Sequence, residues 1–187
     1  MLFTIGSTFL YALQTSIVES SLADRGQRRE YFALLDLSIN VLALVVQVFV
    51  TGNLIRRFRL GSLLAVLPVL SIAGFLALSV APVLLVFALF HVSRRSLDFA
   101  LMRPAREHLF LPVERIDKYK TKSLLDAFVY RLGDQIGVFL HAGLLWIGLS
   151  LQAISAAAIP VCLAWLVLAL WLGARHESLK ESAVTRT

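Results

Sequence analysis

The chain has 187 residues, 58% of them hydrophobic and only 16% charged, with a mean hydropathy of +0.79. Soluble domains carry roughly a quarter charged residues, so the composition excludes an ordinary water-soluble enzyme or nucleic-acid-binding module, despite a formal net charge of +6. The single cysteine, Cys162, lies in an apolar run, which excludes a disulfide framework and a cysteine zinc site.

A transmembrane helix needs about 20 mostly apolar residues to cross a hydrocarbon core of about 30 Å. Apolar runs interrupted by charge, proline or glycine predict six such helices, at about 2–18, 31–54, 60–79, 82–102, 123–149 and 153–173. The expected class is therefore an all-α, polytopic membrane protein with a single transmembrane domain over 1–187. Met1 is followed at once by Leu2, Phe3, Thr4 and Ile5. That start lacks the basic leader and small-residue cleavage site of a signal peptide, so the first apolar stretch is expected to be kept as a span.

Residues 19–30, ESSLADRGQRRE, are the first polar connection and 55–59, IRRFR, the second. Tight turns are expected at Ser79–Pro82 and near Ser150–Gln152, a long basic connection at 103–122, and a tail at 174–187. If the helices alternate in direction, one membrane face collects about twelve basic side chains, while the other has only Arg25, Arg28 and Arg29. Short basic loops stay in the cytoplasm. The bias therefore predicts a multi-pass protein of the cell's inner (plasma) membrane with both termini cytoplasmic.

Polar residues within the spans fall on stripes. At about 100° per residue, Thr4, Ser7, Thr8, Tyr11, Gln14 and Thr15 lie within roughly 120° of one another on the first helix. Asp36, Asn40 and Gln47 share a face of the second. His91, Arg94, Arg95 and Asp98 share a face of the fourth, as do Asp126, Tyr130, Asp134, Gly137 and His141 of the fifth. The third and sixth helices have no such stripe. The order polar, polar, apolar, repeated once, is what two three-helix repeats around a midplane site would give.

Hydroxyl stripes can serve as interhelical glue. Ionised groups at bilayer depth cost several kcal/mol or more on most scales and usually mark a protein interior or an aqueous path. Arg94 with Asp98, and Arg131 with Asp134, are spaced for local pairing, so structural pairing and contact with a solute both stay open for these residues. Asp126 and Asp134 lie eight apart and could face one cavity, where a carboxylate could couple transport to protons.

The most informative stretch runs from Arg94 to Gly137. Pro104 is expected to stop or kink the helix leaving the fourth span, and Pro112 to interrupt again. Arg103 and Arg106, beside that helix end, present planar guanidinium forks suited to phosphate or carboxylate. The motifs R-P-A-R-E-x-L-F at 103–110, K-Y-K-x-K at 118–122, Asp126, and Y-R-x-G-D at 130–134 are similar to those of the bacterial relatives of the ATP/ADP translocases, a branch of the major facilitator superfamily. Residues 33–58, ALLDLSINVLALVVQVFVTGNLIRRF, also resemble the eighth helix of those proteins.

That resemblance covers nearly the whole chain and aligns it with the carboxy-terminal six-helix half, residues 1–18 as helix seven and 153–173 as helix twelve. It implies alternating-access transport of a nucleotide or other anionic, phosphorylated solute, with no cofactor. The implied partners are the lipid bilayer and a second six-helix half, a separate chain or another copy of this one. The implied binding or gating set is Asp36, Asn40, Arg94, Arg95, Asp98, Arg103, Arg106, Lys120, Lys122, Asp126, Tyr130, Arg131 and Asp134. Nucleotide-exchanging members have lysine after the glycine where this chain has Asp134, which reverses the charge offered there. The glycine and arginine cluster at 52–61 resembles the loop motif of major facilitators without its aspartate.

Enzyme signatures are missing: there is no H-E-x-x-H, no G-x-S-x-G and no glycine-rich phosphate loop. His91, His108, His141 and His176 have no metal-ligand spacing. The alternative expectation is a membrane protein that does not transport, an assembly subunit or the remnant of a transporter, whose charges only pair.

Overall fold

The computed structural model describes residues 1–57, 60–105 and 128–184. Six helical rods account for nearly all of them: α1 (Leu2–Ser21), α2 (Arg25–Val45), α3 (Leu60–Val80), α4 (Leu84–Leu97), α5 (Tyr130–Trp146) and α6 (Leu151–Val184). The α2 rod runs on through a π turn, Val46–Thr51, into Gly52–Arg57, and α4 runs on through another, Asp98–Met102. There is no strand among the described residues, so the all-α expectation holds. Arg106, Lys120, Lys122 and Asp126 lie outside the described residues.

The rods begin and end where local chemistry requires. Asp24 caps α2, its carboxylate accepting from the Gly26 and Gln27 backbone N–H groups at 3.1 and 3.2 Å. Arg28 Nε donates to the Leu22 carbonyl at 2.7 Å and ties down the turn between α1 and α2. Between α5 and α6 the chain reverses through Gly148 at φ +78°, a left-handed conformation that costs a side-chain-bearing residue more. Ser150 Oγ then accepts from the Ala153 N–H at the start of α6.

Arg25–Leu54, Gly61–Val80 and Leu151–Arg175 are each long and apolar enough to cross a membrane by length and composition alone. The rods α1, α4 and α5 are not among them. They carry most of the charged and hydroxyl side chains that converge inside the bundle, which lowers their hydropathy. The expectation of about six spans therefore rests for these three on their packing beside apolar neighbours.

That packing has a pattern. Among the described residues the main helix–helix contacts are α1 with α5, α2 with α4, α1 with α6, α3 with α4, α3 with α6, α1 with α4, and the sequential pairs α2–α3 and α5–α6. Exchanging each helix for the one three places along converts this set into itself. The pair α1·α5 becomes α4·α2, α1·α6 becomes α4·α3, and α3·α6 and α1·α4 map onto themselves. The rods alternate in direction, so the exchange also inverts them, as in an inverted repeat.

Two glycine contacts set the closest approaches. On α5, Gly133 and Gly137 lie against Thr4 and Thr8 of α1, and a Cβ on Gly137 would stand 2.8 Å from the Thr8 Cβ. This is a small-xxx-small contact, which lets membrane helices approach backbone to backbone. On the other side Gly61 of α3 meets Gly173 of α6, where a Cβ on Gly61 would stand 3.1 Å from the Gly173 Cα. Gly61→Leu is expected to lower stability by about 1–3 kcal/mol through overpacking. Thermal unfolding of the detergent-purified variant checks this. The remaining core is Leu13, Phe75, Leu78, Phe87 and Ile154, all fully buried where α1, α3, α4 and α6 converge.

Candidate functional site

The central helix α1 carries its hydroxyl stripe toward α4 and α5, and the three rods enclose a polar cleft of about 200 Å³. Of the residues expected at a site, Arg94, Arg95, Asp98, Arg103, Tyr130 and Asp134 line it together with Thr4, Ser7, Tyr11 and His91. Asp36, Asn40 and Arg131 do not line it and are exposed. The helix of Asp36 and Asn40, α2, packs against α4, one of the three rods that carry the cleft.

The two adjacent arginines are held differently. Arg94 is 5% exposed. Its Nε donates to Ser71 Oγ on α3 at 3.1 Å, and its Nη2 donates to Ser7 Oγ and the Phe3 carbonyl of α1 at 3.0 and 3.4 Å. The guanidinium also stands 5.1 Å from the centre of the Phe3 ring. All three bonds leave its own helix, so Arg94 joins α4 to α1 and α3, which differs from the local pairing its spacing to Asp98 permits.

Arg95 is half-buried. It donates to the Tyr11 hydroxyl, and its guanidinium lies 5.7 Å from the Tyr11 ring and 5.8 Å from the Phe99 ring. Arg103, exposed at the cleft margin, lies 4.3 Å from the same Phe99 ring. Tyr11, Arg95, Phe99 and Arg103 thus alternate aromatic and cation along one wall. Cation–π contact steadies each guanidinium while leaving its N–H edge free to donate.

On the facing wall Asp134 Oδ1 accepts from Thr8 Oγ1 at 3.4 Å, a contact made possible by the flanking glycines of α5. Tyr130 packs edge-on to Phe3, with ring centres 6.2 Å apart. His91 packs beside Phe87, ring centres 5.3 Å apart, with its Nδ1 buried and without a hydrogen-bond partner among the described residues. Phe3 and Asp98 separate the cleft from a second, apolar cavity of about 190 Å³ lined by Leu64, Leu67, Met102 and Trp165 among others.

Phe3 and Phe99 escape a reading based on polar stripes, because they are apolar. A signal was present for Phe99: it stands four residues from both Arg95 and Arg103, the spacing at which side chains meet on a helix. No comparable signal marks Phe3, whose role depends on three different helices meeting.

Arginines and aromatic rings gathered along an internal cleft of an all-α membrane protein mark that cleft as a functional-site candidate, since intramembrane charge usually serves a pathway. The sequence profile of the TLC ATP/ADP transporter family matches residues 43–178, and the chain belongs to that family. Its members are membrane transporters of nucleotides rather than enzymes. The match begins in the last turn of α2 and runs through the rods after it to residue 178 within α6, while α1 and most of α2 precede it. No curated protein and no solved structure matches the chain.

Proposed function

We propose that the chain is the carboxy-terminal six-helix half of a major-facilitator-type transporter that moves a nucleotide or other anionic, phosphorylated solute by alternating access. The observation that carries this is the cleft wall of Arg95 and Arg103 braced by Tyr11 and Phe99. It offers cationic edges at bilayer depth with enough conformational restraint to hold an anion, and charge in such a place is a functional feature by default.

Two further observations support the half-transporter reading. The exchange pattern of helix contacts is that of inverted three-helix repeats, which place a solute site at their junction. Exposed polar side chains also sit on several rods: Tyr11 and Thr15 on α1, Asp36 and Asn40 on α2, Asp134 on α5. Such groups are costly against lipid, and a second six-helix half, in another chain or another copy, would cover them with protein and water. In this reading Arg95 and Arg103 contact the solute, and Arg94 holds the helices around it. Asp98, Tyr130, Arg131 and Asp134 border the path. Asp36 and Asn40 face the shared cavity, and Arg106, Lys120, Lys122 and Asp126 complete the binding or gating set that the family resemblance implies. The basic loops support an inner-membrane protein with both termini in the cytoplasm.

The test is reconstitution in vesicles, of the chain alone and with candidate six-helix partners, followed by exchange of labelled ATP and ADP. Flux that disappears with Arg95→Gln is expected in one pairing. A folded protein that moves no nucleotide, sugar phosphate or other phosphorylated anion in any pairing overturns the proposal in favour of a subunit that does not transport.

A further inference from the structure

The π turn of α4 has a local cause. Its defining bond is the Arg103 N–H to the Asp98 carbonyl, five residues back. The next residue is Pro104, which has no N–H for the Ala100 carbonyl four residues before it and whose ring would crowd that carbonyl in an α turn. Widening the turn relieves the crowding. It leaves the Ala100 carbonyl without its usual donor, on a residue that is 0% exposed.

Thr51, in the π turn of α2, supplies a donor. Its Oγ1 lies 2.8 Å from the Ala100 carbonyl and 3.1 Å from the Val46 carbonyl that opens its own turn. A hydroxyl has a single hydrogen, so Thr51 divides it between two π turns that pack against each other. Thr51 is itself buried, at 6% exposure, and leaving a buried carbonyl unpaired is costly.

The register of this turn decides where Arg103 stands. Four residues of α-helix overshoot a full turn by about 40°. Four residues of a π turn, at about 4.4 residues per turn, fall about 30° short. From Arg95 to Phe99 the step is α-like and from Phe99 to Arg103 it runs through the π turn, so the two offsets nearly cancel. Arg103 returns to the face of Arg95, and both guanidinia lie over one ring, at 5.8 and 4.3 Å. In an uninterrupted α-helix Arg103 would stand about 80° round from Arg95.

We propose that Thr51 is a positioning residue: by holding the Ala100 carbonyl it fixes the π turn at Asp98–Met102, and so aligns Arg103 with Arg95 on the cleft wall. The consequence for solute binding rests on the reading of the cleft proposed above; the geometric consequence does not.

The test uses the full chain in detergent with a cysteine at 95 or 103 (Arg95→Cys, Arg103→Cys) and a hydrophilic thiol reagent, the protein without an added cysteine being the control for buried Cys162. Thr51→Val is expected to lower the labelling rate at 103 relative to 95 by roughly tenfold, since reactivity follows exposure, and Thr51→Ser to restore it. An unchanged ratio, or a serine variant that behaves like valine, overturns the proposal. Should Thr51→Val not fold, Thr51→Val is combined with Pro104→Ala, which gives Ala100 a backbone donor. That pair is expected to fold with 103 poorly labelled, and ready labelling there overturns the proposal. Protection of position 95 or 103 by excess ATP or inorganic pyrophosphate is measured in parallel with Thr51 intact. Its absence removes the anion-site reading alone and leaves the labelling ratio to judge Thr51.

Discussion

Arg95→Gln is expected to leave the purified chain folded while weakening its affinity for ATP or pyrophosphate about ten- to a hundredfold, the worth of a charge-assisted hydrogen bond or two. The fold should tolerate the change because Arg95 is half-buried and touches one hydroxyl and two ring faces, with no cluster of acceptors depending on it. Glutamine can still reach the Tyr11 hydroxyl but brings no charge. Calorimetric titration with either anion, beside a thermal unfolding curve, separates the two effects. Unchanged affinity would remove Arg95 from the site, and an unfolded variant would return it to the scaffold.

Arg94, one residue earlier, is expected to behave in the opposite way. Arg94→Met should lower stability by about 2–4 kcal/mol, since three interhelical bonds to a charged donor are lost and such bonds average somewhat under 1 kcal/mol each within membranes, more when charged. The serines left behind keep partners, because Ser71 Oγ also donates to the Leu67 carbonyl and Ser7 Oγ to the Phe3 carbonyl, at 2.8 and 2.9 Å. Lysine should not rescue: a point charge with three donors lacks the planar fork that reaches two helices at once. Unfolding by denaturing detergent is the measurement. A variant as stable as the parent would show that the clamp carries little energy.

The contrast between these neighbours shows what was legible in the sequence. Helical periodicity put Arg94, Arg95 and Asp98 on one face of their helix, and the same rule put Thr4, Ser7 and Tyr11 on one face of α1, because hydrogen-bonding groups in a bilayer must turn inward whatever the fold. Six rods, their order and the broad polar face follow from that one constraint. Periodicity cannot say which of two arginines reaches across to Ser71, since that depends on where α3 passes, and the third helix shows no polar stripe to announce it. Nor does it reveal the π turn that lines up the cations over Phe99. Pro104 was read as a stop or kink. The described helix reaches Ala105, and just before the proline it widens into the π turn, where a threonine from α2 absorbs the lost bond.

The length of α6 bears on how the protein sits in its surroundings. At about 1.5 Å per residue, the 34 residues of Leu151–Val184 make a rod of about 51 Å, well beyond a hydrocarbon thickness of about 30 Å. Its apolar part ends near Arg175. The last two to three turns must therefore emerge as a stalk on the side where Gly61 and Gly173 pinch α3 and α6 together. That pinch ties the depth of α6 to that of α3, so the point at which the stalk leaves the bundle is fixed by a backbone-to-backbone contact.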